Sequence, residues 1–201
     1  MIAIIDYDAG NIKSVEKAMH LLGQEVVVTR DRESILKADK VILPGVGGFG
    51  DAMSKIRQYN LEEVIHEVVE KGTPFLGICL GLQLLFDKSD ETPGAEGLGI
   101  LKGEILRIPP KEGLKIPHMG WNSIEIKPQA KLFKDIPNQS YVYFVHSYYL
   151  KAQDEQIVAA STEYSTHIHA SVESGNVFAC QFHPEKSSDI GLQILKNFSE
   201  L

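Results

Sequence analysis

The chain has two cysteines, Cys79 and Cys180, in different surroundings. Cys79 is the centre of Gly77-Ile78-Cys79-Leu80-Gly81, between the apolar run Pro74–Ile78 and a helical pattern over Leu80–Asp87. A Gly-x-nucleophile-x-Gly stretch at a strand-to-helix junction has the form of a nucleophile elbow. So sharp a turn strains its central residue, and small flanking residues keep the strained backbone free of collisions. The turn also brings the sulfur to the first turn of a helix, where unpaired N–H groups and the dipole favour thiolate over thiol. The N–H of Leu80 is then placed to help hold an oxyanion. A packed core cysteine is the competing reading, since burial is the common fate of a free thiol. The glycines on both sides favour the elbow. Cys180, mid-strand between Ala179 and Gln181, reads as core.

A thiol nucleophile needs a base. Among seven histidines, His183 stands out at the end of a strand-like run, in Gln181-Phe182-His183-Pro184-Glu185. Alternation puts His183 on the face of Ala179 and Gln181, opposite Phe178, Cys180 and Phe182. Pro184 ends the strand, so Glu185 can bend back, fix the imidazole tautomer and stabilise the imidazolium. Cys79, His183 and Glu185 thus form a candidate triad in which His183 shuttles the proton. Taken alone, His-Pro-Glu describes a solvated turn as well; the cysteine elbow upstream gives it meaning. His20 and His66 fall on helical faces. His167 and His169 flank Ile168 without a third ligand at suitable spacing, so they are expected to be solvated and no metal site is expected.

These residues have to be positioned by a scaffold. In the first half, apolar strand patterns at Ile2–Asp6, Glu25–Thr29, Lys40–Leu43 and Pro74–Ile78 alternate with helical ones. The helical patterns are Ile12 to Leu22, Asp51–Gln58, Leu61–Lys71 and Leu80–Asp87. Such alternation implies a parallel sheet with helices on both faces. The second half carries short strand patterns at Gly103–Ile108, Asn122–Lys127, Tyr141–His146 and Gln156–Ala160. A hairpin over Ile168–Glu173 and Asn176–Phe182 turns at Ser174-Gly175, and Asp189–Phe198 closes as an amphipathic helix. The expectation is an α/β fold: one flavodoxin-like domain over residues 1–201, its central sheet mixed but mostly parallel and flanked by helices.

Composition narrows the chemistry. A formal net charge of −7 with no basic patch argues against nucleic acid and leaves a metabolite or a protein as partner. No apolar run approaches the roughly 20 residues that span a bilayer, and Met1–Asp6 lacks a basic region of a signal peptide. A reducing cytoplasm is therefore expected, with no membrane partner.

Gly77-Ile-Cys-Leu-Gly-Leu-Gln83 and His183-Pro-Glu185 together resemble the class I (triad) glutamine amidotransferases. Pro44-Gly-Val-Gly-Gly-Phe49, Pro117-His-Met-Gly-Trp-Asn122, Tyr143-Phe-Val-His-Ser-Tyr148 and Gln181–Ser187 extend the likeness over essentially the whole chain. Pro117–Asn122 and Tyr143–Tyr148 resemble the branch that serves imidazole glycerol phosphate synthesis. Leu82 stands where the anthranilate-synthase relatives usually carry histidine, which counts against those relatives.

The resemblance implies that Cys79 attacks the side-chain amide of L-glutamine and forms a glutamyl thioester, without a cofactor. It implies an oxyanion hole from the backbone N–H groups of Val46 and Leu80. Gly47, Gln83, His146, Ser147 and Tyr148 would line the glutamine pocket. Pro117, Met119, Trp121, Tyr143 and Lys186 would face a partner, a (β/α)₈-barrel cyclase bound as a heterodimer. That cyclase would use the ammonia to make imidazole glycerol phosphate and aminoimidazole carboxamide ribonucleotide, a step of histidine biosynthesis. Three rivals stand beside it: a glutaminase serving another synthase, a cysteine hydrolase on the same elbow, and a non-catalytic flavodoxin-like binding module.

Overall fold

Apolar residues on both sides of a strand demand cover on both sides, and the first strand shows it. In the computed structural model, which describes residues 1–8 and 10–201, β1 (Ile2–Ile5) is buried throughout. Ile2 and Ile4 join one core, Ala3 and Ile5 the other. The chain continues through α1 (Ile12–Leu21), β2 (Val26–Thr29), α2 (Arg32–Lys37), β3 (Lys40–Gly45), α3 (Phe49–Gln58) and α4 (Leu61–Glu70). It reaches the elbow in β4 (Phe75–Cys79) and α5 (Leu80–Leu84). Strands then dominate: β5 (Lys88–Ser89), β6 (Gly103–Arg107), β7 (His118–Ser123), β8 (Glu125–Ile126), β9 (Tyr141–His146) and β10 (Tyr148–Ala152). After β11 (Val158–Tyr164), β12 (Thr166–Ser174) and β13 (Val177–Cys180), the last helix is α6 (Ser188–Ser199).

The main sheet has eight strands in the order β2-β1-β3-β4-β13-β12-β11-β8. The strands from β2 to β13 run parallel and the remainder antiparallel, so the sheet is mixed and mostly parallel, as expected. Helices cover both faces. In α4, Leu61, Val64, Ile65 and Val68 are buried, a spacing that lays one apolar stripe on the sheet. It packs with α2 and α3 over one face; α1 and α6 cover the other, with Val15, Met19, Ile194, Leu195 and Phe198 in its core. The parallel strands deliver their carboxyl ends to one edge, the usual place for a site in such sheets. Gly45, Cys79 and, three residues beyond β13, His183 all arrive there.

Several expected boundaries shift. The helical pattern at Leu80–Asp87 holds only to Leu84, where Leu85 N–H and Phe86 N–H turn back on Leu82 O and Gln83 O. The strand expected at Asn122–Lys127 begins four residues earlier, at His118, pairs with β9 as a separate two-stranded sheet, and breaks at Ile124 before β8. The strand expected from Gln156 begins at Val158, after one 3₁₀ turn over Glu155–Ile157. Of the pair expected to be solvated, His167 is exposed, but His169 is buried and its Nδ1 accepts from Ala152 N–H at 3.1 Å.

Candidate active site

The elbow is strained. Cys79 has φ 55° and ψ −109°, a conformation that L side chains rarely adopt and that costs about 1–3 kcal/mol. Its flanking glycines are obligatory on steric grounds. A Cβ on Gly81 would lie 1.9 Å from Leu43 O, and one on Gly77 would lie 2.7 Å from Gly81 O. Gly45, in register with Cys79 on β3, is as tight: a Cβ there would meet the Tyr7 hydroxyl at 2.5 Å. Small residues let β3, β4 and α5 close around the sulfur. Leu80 opens α5, so its N–H has no partner within the helix.

His183 and Glu185 meet as expected. His183 Nδ1 lies 2.7 Å from Glu185 Oε1, and both side chains are almost completely buried. Asn11 Nδ2 donates to the same oxygen at 3.3 Å, and Ser14 Oγ donates to Asn11 Oδ1 at 2.7 Å. The base is also held by its backbone: its N–H donates to Tyr143 O at 2.9 Å, and Ser187 Oγ donates to its carbonyl at 2.6 Å. Among the described residues His183 Nε2 has no full hydrogen bond, which leaves it for Cys79. Burial works to lower the His183 pKa, but the neighbouring Cys79 sulfur and Glu185 carboxylate favour the protonated, donating ring, outweigh burial and hold the pKa up near 10. The imidazolium is thus favoured beside a sulfur and a carboxylate, the state that donates a proton to a leaving group. Cys180 is fully buried and its thiol is pushed well up, by burial first and then by Glu185 and Cys79, so it is a packing residue.

Cys79 and His183 open onto a cavity of about 410 Å³ that Val46, Gly47, Gln83, Glu91, Pro117, His146, Ser147 and Tyr148 help to line. A wider depression of about 770 Å³, between residues 126–138 and the end of α6, is lined by no cysteine or histidine. The Gln83 amide nitrogen is committed to the protein: it donates to Tyr148 O at 3.1 Å and Gln181 Oε1 at 3.0 Å. Gln181 in turn directs Nε2 at Cys79 Sγ, 3.8 Å away. Pro117 follows a cis peptide bond at the cavity edge. Met119 and Trp121 are 61% and 53% exposed on β7, the Tyr143 ring packs edge-on against Trp121, and Lys186 is exposed.

Four further residues belong to this site. Glu91 is the one carboxylate among the residues lining the cavity, and its Oε2 accepts from Phe49 N–H at 2.8 Å. Tyr7, fully buried, donates its hydroxyl to Pro44 O at 2.8 Å, just before Val46. Asn11 and Gln181 hold Glu185 and Cys79. Their contacts span 37 to 174 positions of sequence, and no local pattern reports them.

A thiol on a strained elbow, an imidazole beside it and a buried carboxylate behind have the make-up of a candidate cysteine triad. The class-I glutamine amidotransferase family model matches residues 3–200. The chain belongs to that family. Among relatives, the imidazole glycerol phosphate synthase subunit HisH of Moorella thermoacetica is 52% identical over 200 residues, covering 100% of this chain and 94% of its own length. The subunit of the same name from Methanocaldococcus jannaschii is 49% identical over 201 residues, covering 100% of both chains. Among solved structures, PurLQS from Thermotoga maritima superposes with a TM-score of 0.74 at 21% identity, over 99% of this chain and 97% of that one. The glutaminase domain of Trypanosoma brucei CTPS gives 0.67 at 17% identity, over 99% and 93%. At such identities the structures attest the fold alone, and the family assignment rests on the sequence matches.

Proposed function

We propose that this chain is the glutaminase subunit of an imidazole glycerol phosphate synthase, hydrolysing L-glutamine at Cys79 and passing the ammonia to a barrel cyclase. The observation that carries it is the strained Cys79 facing an otherwise unpartnered His183 Nε2, with Glu185 behind the imidazole. With the Cys79 proton already resting on His183 Nε2, the Cys79 thiolate adds to the amide carbon of glutamine. The resulting oxyanion is held by the N–H groups of Leu80 and Val46; loss of one such donor typically costs about 10²–10³ in rate. As the C–N bond breaks, His183 returns its proton to the leaving nitrogen, giving ammonia and the thioester. His183 then takes a proton from water, whose oxygen attacks the thioester, and glutamate leaves as the thiolate is restored and reprotonated.

Glutamine has an amino-acid end as well as an amide. Glu91 suits the α-ammonium, because one of its oxygens is fixed by Phe49 N–H and the carboxylate borders the cavity. Backbone groups of Gly47, Ser147 and Tyr148 suit the carboxylate and amide. The Gln83 amide nitrogen, committed to protein acceptors, shapes the wall. Ammonia released into water is converted to ammonium, which is no nucleophile, so the reaction calls for a partner docked at the site. Met119, Trp121 and Tyr141 expose apolar surface on β7 and β9, residue types that anchor interfaces. A free thiol favours the reducing cytoplasm.

A glutamine analogue with a chloromethyl ketone in place of the amide tests the reading. Mass spectrometry should find it on the Cys79 peptide alone, with glutamine protecting. Labelling at Cys180, or none, would dismiss it.

A further inference from the structure

Two buried imidazoles beside the cavity have no part in the chemistry above. His118 begins β7, His146 ends β9, and the antiparallel register sets them opposite one another. Their rings meet, His118 Nδ1 lying 2.9 Å from His146 Nε2. The pair is the middle of a longer chain. His146 Nδ1 is 2.8 Å from Tyr148 O, and His118 Nε2 is 3.3 Å from Asn122 Nδ2.

Both ends of that chain have fixed polarity. A carbonyl oxygen only accepts, so His146 carries its proton on Nδ1. The Asn122 amide is oriented by its other bonds: Oδ1 accepts from Ser123 N–H at 2.9 Å and Nδ2 donates to Glu163 O at 3.1 Å. Nδ2 therefore points a donor at His118, whose Nε2 must be bare. One proton has to stand between the two rings, and only His118 Nδ1–H remains to supply it. The bonds run one way, from Asn122 through His118 and His146 to Tyr148 O, with both rings neutral.

The two ends matter for different reasons. Tyr148 O also receives Gln83 Nε2, and Gln83 leads through Gln181 to Cys79 Sγ. At the other end, β7 carries the exposed Met119 and Trp121. We propose that His118 and His146 are positioning residues for glutamine hydrolysis, a one-directional polar strut that fixes the Ser147–Tyr148 wall of the pocket to β7. This role rests on the cavity being the glutamine site. Their neutral, singly protonated rings fit a strut and not a proton carrier, because neither nitrogen between them is free to take a second proton without breaking the chain.

His118 is also stacked between Phe144 (centroids 4.6 Å apart) and Tyr164 (4.0 Å), which allows a contrast between packing and polarity. His118→Phe keeps a flat ring in the stack and removes the donor. His118→Asn gives up the stack and returns an amide N–H near the lost Nδ1. A packing role ranks the phenylalanine variant above the asparagine variant, and the strut ranks them the other way.

Glutamine KM and kcat would be measured for each in the complex with the cyclase, beside wild type and Cys79→Ala. The expected result is a KM about tenfold higher in His118→Phe, the size of one lost buried hydrogen bond. In His118→Asn, KM should return to within about threefold of wild type, although the fold melts earlier. An unchanged KM in His118→Phe, or a worse one in His118→Asn, overturns the strut while leaving the triad standing. A wild type that turns over no glutamine removes the site reading and the strut with it. Should His118→Phe not fold, ¹⁵N–¹H correlation on the wild-type chain still decides. Both rings must appear as neutral Nδ1–H tautomers, and an Nε2–H signature from either overturns the strut.

Discussion

Replacing His118 by phenylalanine should change how the stability of the fold depends on pH, by an amount that follows from burial alone. His118 is 3% exposed, and burial, with no charged neighbour contributing, lowers its pKa to about 4. In the unfolded chain the same side chain titrates near the ordinary value of about 6.5. Between these values the unfolded state binds a proton that the folded state refuses, so stability falls as pH falls from about 6.5 toward 4. At pH 5 the gap is about 1.5 units, or about 2 kcal/mol. That figure hardly depends on how far burial lowers the folded value, provided it stays well below pH 5. Phenylalanine binds no proton in either state. Wild type should therefore lose about 2 kcal/mol of its stability relative to His118→Phe between pH 8 and pH 5. Distant groups common to both proteins, among them the raised His183, cancel in the difference, and His146, which touches His118, cancels as long as burial keeps its pKa of about 3 well below 5 in both. Urea unfolding followed by far-ultraviolet circular dichroism at the two pH values gives the number. A difference that stays constant from pH 8 to pH 5 would refute the reasoning, because it would mean that folding leaves the proton affinity of His118 unchanged.

Glu185→Gln keeps an acceptor for His183 Nδ1 but removes the charge that helps hold the imidazolium. The raised pKa keeps His183 protonated until pH climbs toward 10, and the stability it lends is full below about pH 6.5 and fades across that climb. Without the carboxylate, the alkaline limb of the glutaminase profile should move down by about one unit or more; an unmoved limb would contradict the role given to Glu185. Tyr7→Phe strands the buried Pro44 carbonyl, so thermal melts should show a loss of about 1–2 kcal/mol, with kcat falling more than KM rises. Gly81→Ala drives a Cβ to 1.9 Å from Leu43 O; an overpacked elbow should cost on the order of 3 kcal/mol, and a soluble, fully active variant would show that the elbow is looser than its geometry.

The elbow was legible because its chemistry leaves a local trace. Gly77 and Gly81 have to be glycine where Cys79 turns, and the strand before and the helix after it carry their own hydropathy periods. The alternation of the first half was legible for the same reason: β1, β3 and β4 are apolar on both faces, and α1, α3 and α4 carry single apolar stripes. The strand β7 was misjudged at its start because its pattern is inverted. The buried position is a histidine, His118, while Met119 and Trp121 point outward. An apolar outer face is what docking a partner calls for, and it hides the strand from a reading that puts apolar residues inside. Helix α2 was missed for its six-residue length; its signal is one cap, Asp31 accepting from Ser34 N–H at 2.9 Å. His169 was judged by the lack of a third ligand at suitable spacing, yet its place is decided by the backbone N–H of Ala152, 17 residues away. Glu91, Tyr7, Asn11 and Gln181 became visible only when distant segments met.

Glutamate release from glutamine, measured for the chain alone and with the barrel cyclase and its nucleotide ligand, tests the central claim most directly, with Cys79→Ala in parallel. Low release from the chain alone, a large rise on assembly and none in Cys79→Ala are the expected results. Release that survives in Cys79→Ala, or that proceeds at full speed and is indifferent to the cyclase, would contradict the account.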